Sequence, residues 1–523
     1  MLKKILSVLI SVSAISNLNA QCDTTYLPSD YTQSSDIIMS GVYYVDGDFI
    51  LPAGITIYIN EHSFDGCGSL EIHADNITIN GTINGDYAGY AGGDGGSGGT
   101  TISSLTGHLN ALTDCQNKDD AGRVEVEGGQ NGSDGFGVGA GQSGATGDEG
   151  SGPKQQCVTG DEAGMIGGSG GSGGGAGGSY GGSGSNGGNG GVGADDYTIV
   201  GFTVSSAYAI VGGSGGTGGA TNSSYGTATG FDIDLGSGGA GAGGGGRSFD
   251  AGLDGGNGGK GGGLVKLVAS NSVTMSGTIS VNGEAGQSGG NGGSGGVTPK
   301  CCSDGCDDCG EVTVSGGAGG GGGAGGGSGG GVFIESGGSI SVTGEIYAQG
   351  GDGGNGGTEG YGSGCTYDAG LFCGDDQSIV SADGLEGNSG GAGSGGRVKI
   401  FYVNCAGANV APTALSVDAG VGNGTAGDGT YETICGYVSI QENIVADDIQ
   451  LFPIPAVDFI QYDVPVAENI PVIQITNMMG QVVMEISDML PADLIDISFL
   501  ESGVYLIVFR TENAVVSKTF IKE

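Results

Sequence analysis

The sequence predicts an all-β protein in two parts: a β-solenoid region (β-helix-like) with projecting polyglycine II-like inserts, followed by a small antiparallel β-sandwich. Three observations carry this. A strand–glycine–strand template recurs along the chain, glycine supplies 125 of 523 residues in near-triplets, and glycine falls away near residue 441. The resulting boundaries are 1–20 (signal peptide), 21–440 (glycine-rich repeats) and 441–523 (C-terminal module).

The start, MLKKILSVLISVSAISNLNAQ, has the three parts of a secretory signal. Lys3 and Lys4 form the positive region, and Ile5 to Ile15 form an apolar core too short to span a bilayer. Ala20 is the expected last residue before cleavage. Gln21 precedes Cys22 where a lipoprotein signal needs a small residue, so soluble export is expected. No later stretch is long and apolar enough for a transmembrane helix. The formal charge of −43 argues against nucleic acid and anionic membranes as partners.

The repeat template is clearest in NITINGTING (76–85), NSVTMSGTISVNG (271–283) and GSISVTGEIYAQG (338–350). Apolar residues alternate, a glycine follows two positions after the second, and isoleucine returns: Ile77, Ile79, Gly81, Ile83; Val273, Met275, Gly277, Ile279; Ile340, Val342, Gly344, Ile346. A period of two means strand with one buried face. GRVKIFYVN (396–404) with TALSVDAG (413–420) is a degraded fourth copy, and 40–59 has the same strand–turn–strand character. Such units cannot bury their faces alone, so stacking is expected.

Between the copies lie inserts such as GGSGGSGGGAGGSYGGSGSNGGNGGVG (167–193) and GGAGGGGGAGGGSGGG (316–331). Proline, at 10 residues, is too scarce for collagen. Flexible linker and packed polyglycine helices compete as readings, since ordering glycine is entropically costly. Anchorage favours the packed form: each insert begins and ends on strands of one sheet, which hold the base of a glycine hairpin together.

An even set of cysteines in an exported chain favours disulfides. Cys22 and Cys67, Cys115 and Cys157, Cys365 and Cys373, and Cys405 and Cys435 are sequence neighbours, although sequence does not fix connectivity. Cys301, Cys302, Cys306 and Cys309 lack the paired spacing of a zinc site, so two disulfides pinning a loop are expected there. Acidic glycine runs (92–99, 253–259, 350–357) lack the apolar position of calcium-binding nonapeptides. No cofactor is expected, with weak calcium binding the one alternative.

Catalysis is not expected. His62, His73 and His108 are scattered, lysine and arginine do not gather within 21–440, and no nucleophile elbow or metalloprotease helix occurs.

The end of the chain has a second set of signals: Phe452-Pro453-Ile454-Pro455, Asn477-Met478-Met479-Gly480, Ile495-Asp496-Ile497-Ser498, Leu500, Gly503-Val504-Tyr505 and Lys522. Residues 449–523 thereby resemble the C-terminal sorting domain of proteins exported by the bacterial type IX secretion system. Ile454 and Asn477 depart from the family's asparagine and aspartate. The resemblance assigns Pro453, Pro455, Gly480, Asp496, Gly503, Tyr505 and Lys522 to the sorting motif and implies the secretion machinery as partner. It places the cargo outside a Gram-negative cell, released or held at the outer-membrane surface. The preceding region resembles glycine-rich β-solenoid surface proteins only loosely. A structural or adhesive protein, meeting surface glycans or neighbouring cells, is the expected function. The rival readings are a glycan-active β-helix enzyme and an ice-binding protein.

Overall fold

A computed structural model of the chain describes residues 24–63, 66–100, 102–103, 123–153, 162–200, 203–204, 210–296, 311–367, 377–436, 450–452, 455–463, 470–477, 482–489, 492–510 and 515–523. The fold is all-β, in two compact units divided between residues 437 and 438.

In the first unit each template copy gives one strand to each of two parallel sheets. The larger sheet runs in the order Thr24–Leu27, Gly41–Val45, Ser69–Ile79, Leu264–Met275, Gly331–Ser336, Arg397–Tyr402, Thr430–Cys435. The second runs Ile37–Ile38, Thr56–Tyr58, Thr82–Asn84, Thr278–Ser280, Glu345–Tyr347, Ala414–Ser416. Sequence order is kept throughout, even across the long glycine inserts.

The period of two explains the register. Leu70, Ile72, Ile77 and Ile79 lie beside Val265, Leu267, Val273 and Met275, and all eight are buried in one core. Ile83, Ile279, Ile346 and Leu415 form a matching row in the second sheet. Each buried aliphatic side chain contributes about 1.5–3 kcal/mol. The template glycine sits at the corner between sheets, where backbones stack too closely for a side chain. A Cβ on Gly277 would lie 1.9 Å from the Gly81 carbonyl oxygen, and one on Gly344 the same distance from that of Gly277.

The outer face of the larger sheet carries polar and aromatic ladders. Tyr26 stacks on Tyr44, and Tyr44 on His73, at 5.2 and 4.6 Å between ring centroids. Glu71 Oε1 meets His73 Nε2 at 2.6 Å and Lys266 Nζ at 2.8 Å. Burial pushes the Glu71 carboxyl up, but these two partners outweigh it and hold its pKa at about 2.

The sequence reading did not find the copy that starts the stack. Its strands Thr24–Leu27, Tyr31–Thr32 and Ile37–Ile38 are too short to show alternation and pair only through the next copy.

The second unit is a small antiparallel sandwich. One sheet orders Gln450–Phe452, Phe459–Asp463, Ala492–Asp496; the other orders Val482–Met489, Ile470–Asn477, Gly503–Arg510, Val515–Lys522. Both sheets feed a core containing Ile460, Ile473, Ile475, Ile495, Ile507 and Phe520.

Candidate functional site: the glycine bundle and the C-terminal unit

The glycine inserts form a packed bundle of extended runs. Run 168–179 shows how a chain with few side chains is held. The N–H groups of Gly168, Gly171, Gly174 and Gly177 donate to carbonyls of Ala194, Gly191, Gly188 and Ser185 on one neighbour. Those of Gly170, Gly173 and Ala176 donate to Asp148, Ala145 and Gln142 on a second. Ser169 and Ser172 donate to Arg247 and Gly244 on a third. A repeat of three, each residue facing a different neighbour, is the signature of a three-residue-per-turn extended helix. Run 317–330 behaves likewise, with Gly320, Gly323 and Gly326 donating to Leu385, Asn388 and Gly391.

Directions alternate as the chain goes out and back. Gly93, Gly96 and Gly99 donate to Gly239, Ala242 and Gly245 in parallel, whereas Gly258, Gly255 and Gly252 donate to Gly93, Gly96 and Gly99 in antiparallel order. The close approach depends on glycine: a Cβ on Gly177 would lie 1.9 Å from the Ala392 oxygen, and on Gly174 2.5 Å from that of Gly323.

At the rim an N–H facing outward has no neighbouring backbone, and side chains take its place. Gly95 donates to Asn257 Oδ1 (3.1 Å) and Gly98 to Asp254 Oδ1 (2.9 Å). Gly218 and Thr221 donate to Asn189 and Asn186 Oδ1, each at 3.0 Å. Val421 donates to Asp352 Oδ1 at 2.7 Å. Thus Asp254 and Asp352, two acids of the runs weighed for calcium, accept backbone hydrogen bonds. Among the described residues no group of three or more His, Cys, Asp and Glu is placed to hold a metal ion.

Two buried cations escaped the sequence reading, which expected no gathering of basic residues. Arg397 and Lys399 alternate with Val398 and Ile400 on one strand and face away from the aliphatic core, against loop 221–234. Arg397 donates to the Tyr225 carbonyl (2.8 Å) and Thr430 Oγ1 (3.0 Å), with its guanidinium over the Tyr180 ring. Lys399 Nζ donates to the Gly230 carbonyl (2.8 Å) and to both the carbonyl and carboxylate of Asp232. Burial pulls the Lys399 pKa down, opposed by Asp232. Phe231 of the same loop packs edge-on against Phe401 (5.1 Å) and Phe333 (6.3 Å). In the run GRVKIFY, Phe401 on the same alternating face as Arg397 and Lys399 was the available signal that this strand is covered on both sides.

At the ends of the runs remote from the stack, three small sheets each join separate chain segments. One joins Ile102–Ser103, Arg123–Val126 and Gly150–Pro153. Another joins Glu162–Ile166, Thr203–Val204 and Glu311–Ser315, and a third joins Tyr197–Val200, Gln377–Ser381 and Gly364–Tyr367.

Cys405 and Cys435 form a disulfide closing the last turn of the stack, and Cys67 is also disulfide-bonded. Cys365 lies on strand Gly364–Tyr367. Cys22, Cys115, Cys157, Cys301, Cys302, Cys306, Cys309 and Cys373 fall outside the described residues, as does the signal peptide.

In the C-terminal unit the described motif residues sit at turns, strand ends and the core. Asp496 Oδ1 accepts the Ser498 N–H (2.9 Å) to close a turn, and hydrogen bonds from the Ser498 hydroxyl and then this N–H hold its carboxyl below the usual range. Ile495, Ile497 and Leu500 on either side of it are buried. Tyr505 stacks on Phe520, and its hydroxyl donates to the Glu501 carbonyl (2.9 Å). Gly503 opens the strand that carries Tyr505 and pairs with Lys522. The Glu523 N–H donates to the Ala456 carbonyl and the Ala456 N–H to that of Ile521, so the chain end is fastened beside exposed Pro455. Pro453 and Gly480 fall outside the described residues.

The family described as secretion system C-terminal sorting domain matches residues 450–523. Those residues are a type IX secretion sorting domain. The sorting domain marks the chain for export by type IX secretion, to the cell surface or the extracellular space. No curated protein matches the chain. No helix among the described residues is long and apolar enough to cross a membrane.

Proposed function

We propose that the exported chain is a non-catalytic structural and adhesive protein. In this reading the two parallel sheets form a β-solenoid stalk, and the glycine bundle is a stiff support. The observation that carries it is the bundle's three-residue hydrogen-bond repeat. An ordered bundle holds segments far apart in sequence at one end, as when Tyr197–Val200 joins Gln377–Ser381. Irregular segments mounted on a rigid scaffold are the usual place for recognition. The partners on this reading are surface glycans or neighbouring cells.

Incubating the mature protein with a glycan panel and with whole cells tests this. Retention without new reducing ends is expected, and absence of retention on both would overturn the reading. New reducing ends would show an enzyme instead. Deleting 441–523 should leave the protein in the periplasm.

A further inference from the structure

The sheet of Tyr197–Val200, Gln377–Ser381 and Gly364–Tyr367 has one covered and one open face. Ile379 is fully buried, and the Tyr197 hydroxyl donates inward to the Ile166 carbonyl at 2.5 Å. Alternation sends Thr198 and Val200 the other way, with Val380 opposite Thr198. Val200 and Val380 are 52% and 44% exposed. The surface continues where these strands become glycine runs. There the Leu385 N–H donates to the Val192 carbonyl, and Leu385 and Val192 are 60% and 42% exposed.

This strip departs from the polar pattern that several other rim positions follow. Several outward positions carry Asn or Asp that accept a backbone N–H, as Asn186, Asn189, Asp254 and Asn257 do, although Leu253 and Val421 are exposed as well. Val192 and Leu385 occupy such positions, three residues from Asn189 and Asn388, and their side chains can accept nothing. Exposed aliphatic groups on a highly charged, exported rod mark a contact surface. Asp195, Asp196, Asp383 and Glu386, all exposed, border it.

We propose that this strip docks a second protein whose surface has an apolar centre and a lysine- or arginine-rich rim. Charge complementarity decides the occupant: a second copy of this chain, at −43, would bring like charge against the acidic border. The described side chains of the strip are aliphatic or hydroxyl, and so offer no ring for stacking on a sugar. The proposal adds a protein partner to the adhesive reading and rests on its premise that the bundle is ordered.

The test uses the mature full chain and immobilised peptides of alternating lysine and valine, with polylysine and alternating glutamate–valine as controls. Wild type should hold the lysine–valine peptide, and the combination Val200→Ser, Val380→Ser and Leu385→Ser should weaken this about tenfold or more. The pair Asp383→Asn and Glu386→Gln should weaken it less and reduce its salt dependence. Leu385→Ser alone, at an exposed rim position, provides a variant with unchanged melting if the triple variant is unstable. Equal binding by the serine variants, equal retention of the glutamate–valine peptide, or capture by neutral polysaccharide beads alone would overturn the proposal. Absence of glycan and cell retention by the wild-type chain, with peptide binding intact, would count against the adhesive reading alone. Peptide binding lost together with protease protection of the runs would point to failure of the shared premise.

Discussion

The parallel-strand stack and the glycine bundle belong to one compact unit but are held together by opposite means. In the stack the side chain is the cohesive part: Ile279 and Ile346 are fully buried in the aliphatic core. In the bundle the side chain is the obstacle, and cohesion comes from backbone hydrogen bonds in three directions around each run. Net hydrogen-bond energies are modest, about 0.5–1.5 kcal/mol each, and ordering glycine costs about 1–2 kcal/mol per residue before its extra chain entropy. A single glycine hairpin therefore gains little. The bundle is stable because every interior run is surrounded, and because the strands beneath already hold the ends of each run.

This contrast can be broken by mutation. The largest expected effect is from Gly174→Val with Gly177→Val. Both Cβ atoms would strike backbone oxygen, which has no rotamer to relax into, so the loss should reach about 3 kcal/mol or more. Denaturant melting with limited proteolysis of 167–193 is the readout, and wild-type behaviour would mean that the runs are not packed. Next is Ile279→Ala, expected to cost about 2–5 kcal/mol through a cavity in the stack. Its loosening should be seen in hydrogen exchange of Leu264–Met275 before it reaches the outer ends of the runs.

Glu71→Gln sharpens the comparison by acting on the stack through pH. The Glu71 pKa is lowered from 4.5 to about 2, so its ion pairs stabilise the fold fully above pH 4.5 and lose this as pH falls toward 2. The variant should be about 2 kcal/mol less stable than wild type at pH 7, with the gap closing near pH 2. A gap that stays constant with pH would show that the carboxylate charge is not the stabilising feature. The smallest effect belongs to the rim. Asn257→Ala removes the acceptor for Gly95, whose N–H can turn to water, so about 0.5–1 kcal/mol and faster exchange of that amide are expected.

The strands were legible because alternation and the corner glycine both survive in each strong copy, from Ile77-x-Ile79-x-Gly81 to Ile340-x-Val342-x-Gly344. The glycine runs were open to two readings, linker or packed helices; triplets and anchorage favoured the packed form but did not specify a particular bundle. Every glycine N–H is chemically alike, so nothing in 167–193 says that Gly171 faces Gly191 or that Ser172 faces Gly244. The outward Asn and Asp were visible in step, yet their task was hidden because the donor they meet belongs to another run. Arg397 and Lys399 failed for the same reason at longer range: the Gly230 carbonyl that receives Lys399 lies 169 residues away in sequence. In the C-terminal unit, turn and core residues such as Asp496 and Tyr505 recur at fixed spacing, which made its motif readable end to end.

The threefold repeat gives the bundle something like a reading frame. With about three residues per turn, inserting three residues in a run leaves every later N–H aimed at its former neighbour and only lengthens the protruding end. Inserting one residue rotates the remainder by about 120°, so that Asn189 would turn inward against a backbone and a glycine would replace it at the rim. The bundle can therefore grow or shrink by whole triplets at its remote ends, where the surface can diversify, while frame-breaking changes are excluded nearer the strands. Divergence in such a chain should proceed in steps of three.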